Sequence, residues 1–138
     1  MLGLLSAALA ACAAGNASPT AAPMPLASPV SQEPAAGICG GTEAAEVTIT
    51  IYPDIPDPRC AIVRPEQRLR IVNSTVNPLQ VSLASFQAEI GPGAEYAFDL
   101  PLGEFLAPGV HLVQVLPCCG PELWLKPAQP VSGVPCRR

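Results

Sequence analysis

Histidine, aromatic side chains and charge are all scarce in this chain of 138 residues. His111 is the single histidine, so a catalytic triad would have to be built around that residue alone. Charged residues make up 13% of the chain and the net charge is −4, which excludes a broad basic surface for nucleic acid. The first 32 residues hold no Lys, Arg, Asp or Glu, and Glu33 is the first charge. Long apolar runs are missing too. Leu2 to Ala11 is roughly half the length a bilayer-spanning helix requires, so it is not expected to serve as a permanent transmembrane anchor. Beyond that run no window has a helical period, and eighteen prolines and eleven glycines leave little room for long helices.

The short apolar run does suit the core of an export signal, closed by small residues. Its end, Leu9-Ala10-Ala11-Cys12, resembles the lipobox of bacterial lipoproteins. That resemblance implies a signal peptide over residues 1–11, removed after a diacylglyceryl group joins the Cys12 thiol. The sequence departs from the family in lacking the positive residues that usually precede the run. Each buried CH₂ contributes about 0.8 kcal/mol, so two chains hold a protein at a membrane durably where one does not. Residues 13–36 are almost entirely Ala, Pro, Ser, Thr and Gly. Such a stretch buries too little apolar surface to offset its ordering entropy, and residues 12–37 are expected to form a lipidated, proline-stiffened, disordered tether.

From residue 38 onward the pattern changes. Val47-Thr48-Ile49-Thr50-Ile51 alternates with β-branched residues throughout, and Cys60 to Val63 forms a shorter run. Leu69 and Ile71 oppose Arg68 and Arg70 across the next run. Leu79, Val81 and Leu83 share a face, as do Tyr96, Phe98 and Leu100; Val113 with Val115 and Leu123-Trp124-Leu125 follow. Turn signals at Asn73-Ser74, Asn77-Pro78, Gly91-Pro92-Gly93, Pro108-Gly109 and Gly120-Pro121 punctuate these strands. Residues 101–107 have room for one helical turn at most. The expected fold of residues 38–138 is all-β: a small, disulfide-braced, antiparallel Greek-key sandwich.

Within it, RLRIVNST, LQVSL, IGPGAEYAFDL and APGVHLVQVLPCCG, from Arg68 through Cys119, resemble in order the second half of a cupredoxin-like sandwich. An immunoglobulin-like sandwich would show much the same pattern. The cupredoxin resemblance raises type 1 copper, which needs two histidines and a cysteine thiolate, usually with an axial methionine. This chain has one histidine, and no methionine follows Cys118. The copper ligands are therefore missing and no cofactor is expected.

Six cysteines in so short a chain fit an oxidising compartment. With Cys12 lipidated, Cys39, Cys60, Cys118, Cys119 and Cys136 are the disulfide candidates: two bridges and one spare thiol, with partners that sequence does not assign. Neighbouring residues of an extended strand point to opposite sides, so Cys118 and Cys119 are expected to bridge to Cys39, Cys60 or Cys136 rather than to each other. His111, Cys118 and Cys119 are the weak metal-ligand candidates; His111 reads foremost as a structural histidine beside Val113 and Val115. Arg64, Arg68 and Arg70 are the only concentrated cations and the weak candidates for an anionic ligand, against a solvated face balanced by Glu66, Glu89 and Glu95. Asp54 and Asp57 are too few for calcium and read as turn residues. Together these features point to an exported, lipid-anchored, non-enzymatic binding or structural module of the cell envelope. Its expected partners are the membrane and another envelope protein or a glycan. The alternative is an extracytoplasmic redox or metal-handling protein using Cys118 and Cys119.

Overall fold

The computed structural model describes residues 24–130. Eleven strands carry the fold. They are β1 (Gly40–Gly41), β2 (Glu46–Ile51), β3 (Pro56–Asp57), β4 (Cys60–Val63), β5 (Arg68–Asn73) and β6 (Leu79–Leu83), followed by β7 (Phe86–Ile90), β8 (Glu95–Ala97), β9 (Gly109–Leu112), β10 (Gln114–Leu116) and β11 (Glu122–Leu125). One layer is the sheet β3-β2-β5-β8. The other combines β1-β4-β11-β9 with β10-β6-β7. Its two parts are joined because β9 and β10 are one run that changes partner at Val113, whose N–H makes the last bond of the β11 register, to the Pro121 carbonyl at 3.0 Å, before Gln114 pairs with β6. The chain is thus an all-β sandwich, as its alternation implies. The one helical turn among the described residues, Leu102–Glu104, is 3-10.

Alternation decides which face each strand buries. Val47, Ile49 and Ile51 of β2 stand in register with Leu69, Ile71 and Asn73 of β5, and all six are buried. Leu79, Val81 and Leu83 of β6, Val115 of β10, and Leu123 and Leu125 of β11 close the core from the opposite layer. All three phenylalanines meet in it: the rings of Phe86 and Phe105 are 4.8 Å apart and those of Phe86 and Phe98 are 6.0 Å apart, both edge to face. The pairing is mixed where sequence gave antiparallel: β2 runs parallel to β5, and β4 parallel to β11. The chain leaves the first layer after β2 and β3, forms β4 in the second, and returns for β5, so β5 lies beside β2 in the same direction.

A second difference concerns the tether. Ala27 donates to the Phe105 carbonyl at 2.8 Å, and Ala107 donates back to Ala27 at 3.0 Å. Val30 and Ser31 exchange main-chain bonds with Val110, each 2.8 Å long. The N–H groups of Ala35 and Ala36 both reach the Glu122 carboxylate, at 3.0 and 2.9 Å. Residues 27–36 therefore form a strap along the free edge of β9, and the folded unit starts upstream of residue 38. Composition missed this because the strap is held by its backbone, which Ala, Pro and Ser supply as well as any residue. The close approach is local to Gly109: a Cβ there would stand 2.5 Å from the Pro29 Cβ. Residues 1–23 and 131–138, including the expected signal peptide, Cys12 and Cys136, lie outside the described residues.

Candidate functional site

The two ends of β5 organise the loops of the two poles. Just before the strand, fully buried Gln67 donates from Nε2 to the carbonyls of Thr42 and Ala44 at 2.8 and 2.7 Å. Its Oε1 accepts the Arg64 N–H at 2.8 Å. At the far end, fully buried Asn73 donates from Nδ2 to the carbonyls of Asn77, Ile90 and Gly91, at 2.8, 2.9 and 3.1 Å. Its Oδ1 accepts from the Thr75 N–H and hydroxyl at 2.9 and 2.8 Å. One amide thus fixes both the 73–78 loop and the 90–94 turn. Sequence marked Asn73 as a turn residue; neither its burial nor that of Gln67 had a local signal.

The Asn73 pole carries the cysteine pair. After β10, the chain turns through Pro117, Cys118, Cys119 and Gly120, all exposed. Cys118 and Cys119 are bonded to each other, which corrects the expectation that each pairs elsewhere. That expectation assumed an extended strand. Here Cys119 adopts a left-handed backbone with φ of 67°, so the two side chains no longer project to opposite sides. Gly120 fixes the loop against β9-β10: a Cβ there would fall 1.5 Å from the Val113 carbonyl oxygen. Cys118 borders a small cleft of about 150 Å³ with Tyr52, Val76 and Leu79. Cys119 borders another of about 360 Å³ with Ile55, Leu112 and Glu122.

The remaining bridge candidates resolve differently. Cys39 and Cys60 form a disulfide with Cα atoms 4.6 Å apart, spanning 21 residues. In the loop-entropy account a closure of that length stabilises by about 3 kcal/mol. Cys60 is fully buried on the outer face of β4, beneath this bridge. Cys39–Cys60 is thus a brace and Cys118–Cys119 is not.

His111 is not brought to the cysteines. It sits on β9, buried, with Nε2 at 2.7 Å from the Ala107 carbonyl at the start of that run, whereas the pair lies beyond its end. Among the described residues no three His, Cys, Asp or Glu side chains converge. The arginines are divided as well. Arg64, after β4, pairs with Glu66 at 2.6 Å and Glu43 at 2.9 Å, and these contacts, led by the Glu66 hydrogen bond, hold its pKa above the ordinary value. Arg70 bridges Glu46, at 2.6 Å, and Glu95 on the outer face of β2-β5-β8, and its pKa is likewise raised, chiefly by Glu46. Arg68 donates from Nε to the Asp99 carbonyl at 2.9 Å. Arg68 and Arg70 share one face, and Arg64 stands apart with its own two carboxylates.

No protein-family model matches the sequence, and no curated protein matches it. Solved structures align with part of the chain. A Cu-containing nitrite reductase from Thermus scotoductus SA-01 aligns over 61% of this chain, at 14% identity and a TM-score of 0.46. This chain spans only 23% of that enzyme. A purple cupredoxin from Nitrosopumilus maritimus aligns over 57% of this chain and 98% of its own, at 10% identity and a TM-score of 0.46. A Cu(I) amicyanin aligns over 62% of this chain and 86% of its own, at 9% identity and a TM-score of 0.47. The copper in those names finds no matching donors here, because the one imidazole is buried and engaged with Ala107. Each of these alignments is distant, and the residues of this chain do not fit a type 1 copper centre.

Proposed function

We propose that the protein is an exported lipoprotein, anchored through Cys12, whose β-sandwich serves as a non-catalytic binding module of the cell envelope. What supports the non-catalytic part is how the interior polar groups are used. Gln67, Asn73 and His111, the buried polar residues among those described, all bond to main-chain groups. None is left facing a cleft in a position to move a proton. Support for the anchor comes from the lipobox residues, and the strap refines its geometry. The fold begins at Ala27, fifteen peptide steps after Cys12. Covalent geometry limits such a segment to about 50 Å, against about 90 Å had the fold begun at Ile38. The module would therefore work close to the membrane, within reach of an envelope protein or the inner layers of an envelope glycan.

Expression of the full chain in a bacterium fed an alkyne-bearing fatty acid tests the anchor. Expected are labelled protein in the membrane fraction and a mature N-terminal peptide that starts at Cys12 with a diacylglyceryl thioether. Cys12→Ala should abolish the label and leave the membrane fraction empty of the protein. A mature terminus downstream of Cys12, without lipid, would sink the proposal.

A further inference from the structure

The Cys118–Cys119 bridge has no bracing role. A bond between consecutive residues closes almost no loop, so it removes next to no entropy from the unfolded chain. Both sulphurs belong to exposed residues, whereas Cys60 of the other bridge is fully buried. The surroundings of the exposed pair form a second, independent observation. Of the nine large apolar residues exposed among the described residues, five stand around this loop: Tyr52, Ile55, Val76, Leu112 and Leu116. Tyr52 and Val76 share the cleft of Cys118, Ile55 and Leu112 that of Cys119, and Leu116 precedes the loop by one residue. Val76 is 85% exposed and Leu116 60%. Water-facing apolar side chains gathered at one place mark a surface that a partner covers. Asn73 pins the 73–78 loop that carries Val76, and Gly120 packs the cysteine turn against Val113.

We propose that Cys118–Cys119 is a thiol–disulfide exchange site, reduced by a dithiol protein that docks on this apolar collar. A thiolate of the partner attacks one sulphur of the pair. The Cys118–Cys119 bond breaks, and its electron pair stays on the other sulphur, which takes up a proton. A mixed disulfide now joins the two proteins. The partner's second thiolate attacks its own first sulphur, expelling the remaining cysteine as a thiolate, which is protonated in turn. Two electrons and two protons pass from the partner, which ends as a disulfide, to the pair, which ends as two thiols. The apolar collar is what a partner needs to hold its sulphur in line with the pair, and the full burial of Cys60 limits exchange to one of the two bridges.

The test uses the oxidised full-length protein, with dithiothreitol and thioredoxin as the two reductant probes and iodoacetamide trapping followed by peptide mass mapping. Expected is alkylation of Cys118 and Cys119 at a dithiothreitol concentration at least about ten-fold below that which opens Cys39–Cys60. Val76→Asp with Tyr52→Asp should slow reduction by thioredoxin about ten-fold and leave the dithiothreitol rate unchanged, because only a protein reductant touches the collar. A thioredoxin that lacks its resolving cysteine should attack the intact Cys118–Cys119 bond and accumulate as a mixed disulfide that maps to Cys118 or Cys119. Simultaneous opening of both bridges, or mapping of Cys118 or Cys119 to a bridge with another cysteine, overturns the exchange site. An unchanged thioredoxin rate in the Asp variants overturns the docking surface.

Discussion

The two poles of the sandwich are built on the same device and finished in opposite ways. At each, a fully buried amide at one end of β5 satisfies main-chain groups of the neighbouring loops, Gln67 at one pole and Asn73 at the other. Around Gln67 the surface is closed with charge: Arg64 lies between Glu43 and Glu66. Around Asn73 the surface is left apolar, and the exposed cysteines stand within it. Rigid loops alone therefore say nothing about function. What separates the poles is whether the side chains carried by those loops are partnered within the molecule, and by that measure the Gln67 pole is finished and the Asn73 pole is open.

Removing the two amides sharpens the contrast, and Asn73→Ala is expected to have the largest effect of any variant considered. It strips partners from the Thr75 N–H and from the buried Ile90 carbonyl at once, which costs about 3 kcal/mol or more. For a domain of this size that lowers the thermal midpoint by roughly 10–20 °C. Gln67→Ala should cost about 2–3 kcal/mol, since it releases three main-chain groups beside a partly solvated loop. Limited proteolysis then tells the poles apart. Asn73→Ala should open cleavage within 74–78 and speed alkylation of reduced Cys118 and Cys119. Gln67→Ala should open 42–45 and leave the cysteines as they were. Identical cleavage maps would show that the poles are not independent.

The strap makes the next comparison, between an edge protected by composition-neutral backbone and the core strands. Gly109→Ala places a Cβ against the Pro29 ring and also forces an L side chain into a backbone at φ of +130°. Either effect is unfavourable, and together they should cost about 1–3 kcal/mol. Hydrogen exchange should locate the loss: faster exchange at the N–H groups of Ala27, Val30 and Val110, with Ile49 and Ile71 of the central strands unchanged relative to global unfolding. Uniform acceleration everywhere would mean that the strap and the core unfold as one unit.

Much of this architecture could be read from the chain. β2, β4, β5, β6 and β11 announced themselves because half-buried strands impose a period of two on the choice of side chain, and β5 sorted its arginines from Leu69 and Ile71 correctly. β7 went unread. Its turn from β6 passes through Ala84 at φ of 52° and Ser85, with none of the Gly or Asn that marks a tight hairpin. The strap was misread for a related reason: main-chain bonding leaves no trace in composition. The cysteine pairing failed on a single dihedral, since one left-handed residue reverses the geometry that an extended strand would impose. At the candidate site, the cysteines were visible in sequence, but the collar was not. Tyr52 with Ile55, Val76, and Leu112 with Leu116 come from three separate stretches of chain, and only the fold sets them side by side.

The smallest expected effect lies at the closed pole. The Arg64 guanidinium donates to Glu66 and holds that carboxyl below the usual glutamate range. A carboxyl whose folded pKa is depressed contributes stability above its unfolded pKa, near 4.3, and loses the contribution as pH falls through the folded value. Glu66 is two-thirds exposed, at 66%, so solvent screens the pair and its weight in overall stability is slight. Glu66→Gln should therefore leave the urea midpoint at neutral pH almost unchanged. Between about pH 5 and pH 3 the native protein should lose slightly more stability than the variant, and high salt should erase that difference. A large salt-resistant gap would mean that Arg64 holds the pole through its charge. A small one would leave the work to Gln67, whose amide does not titrate, and the closed pole would then stay closed at any pH that spares the carboxylates elsewhere.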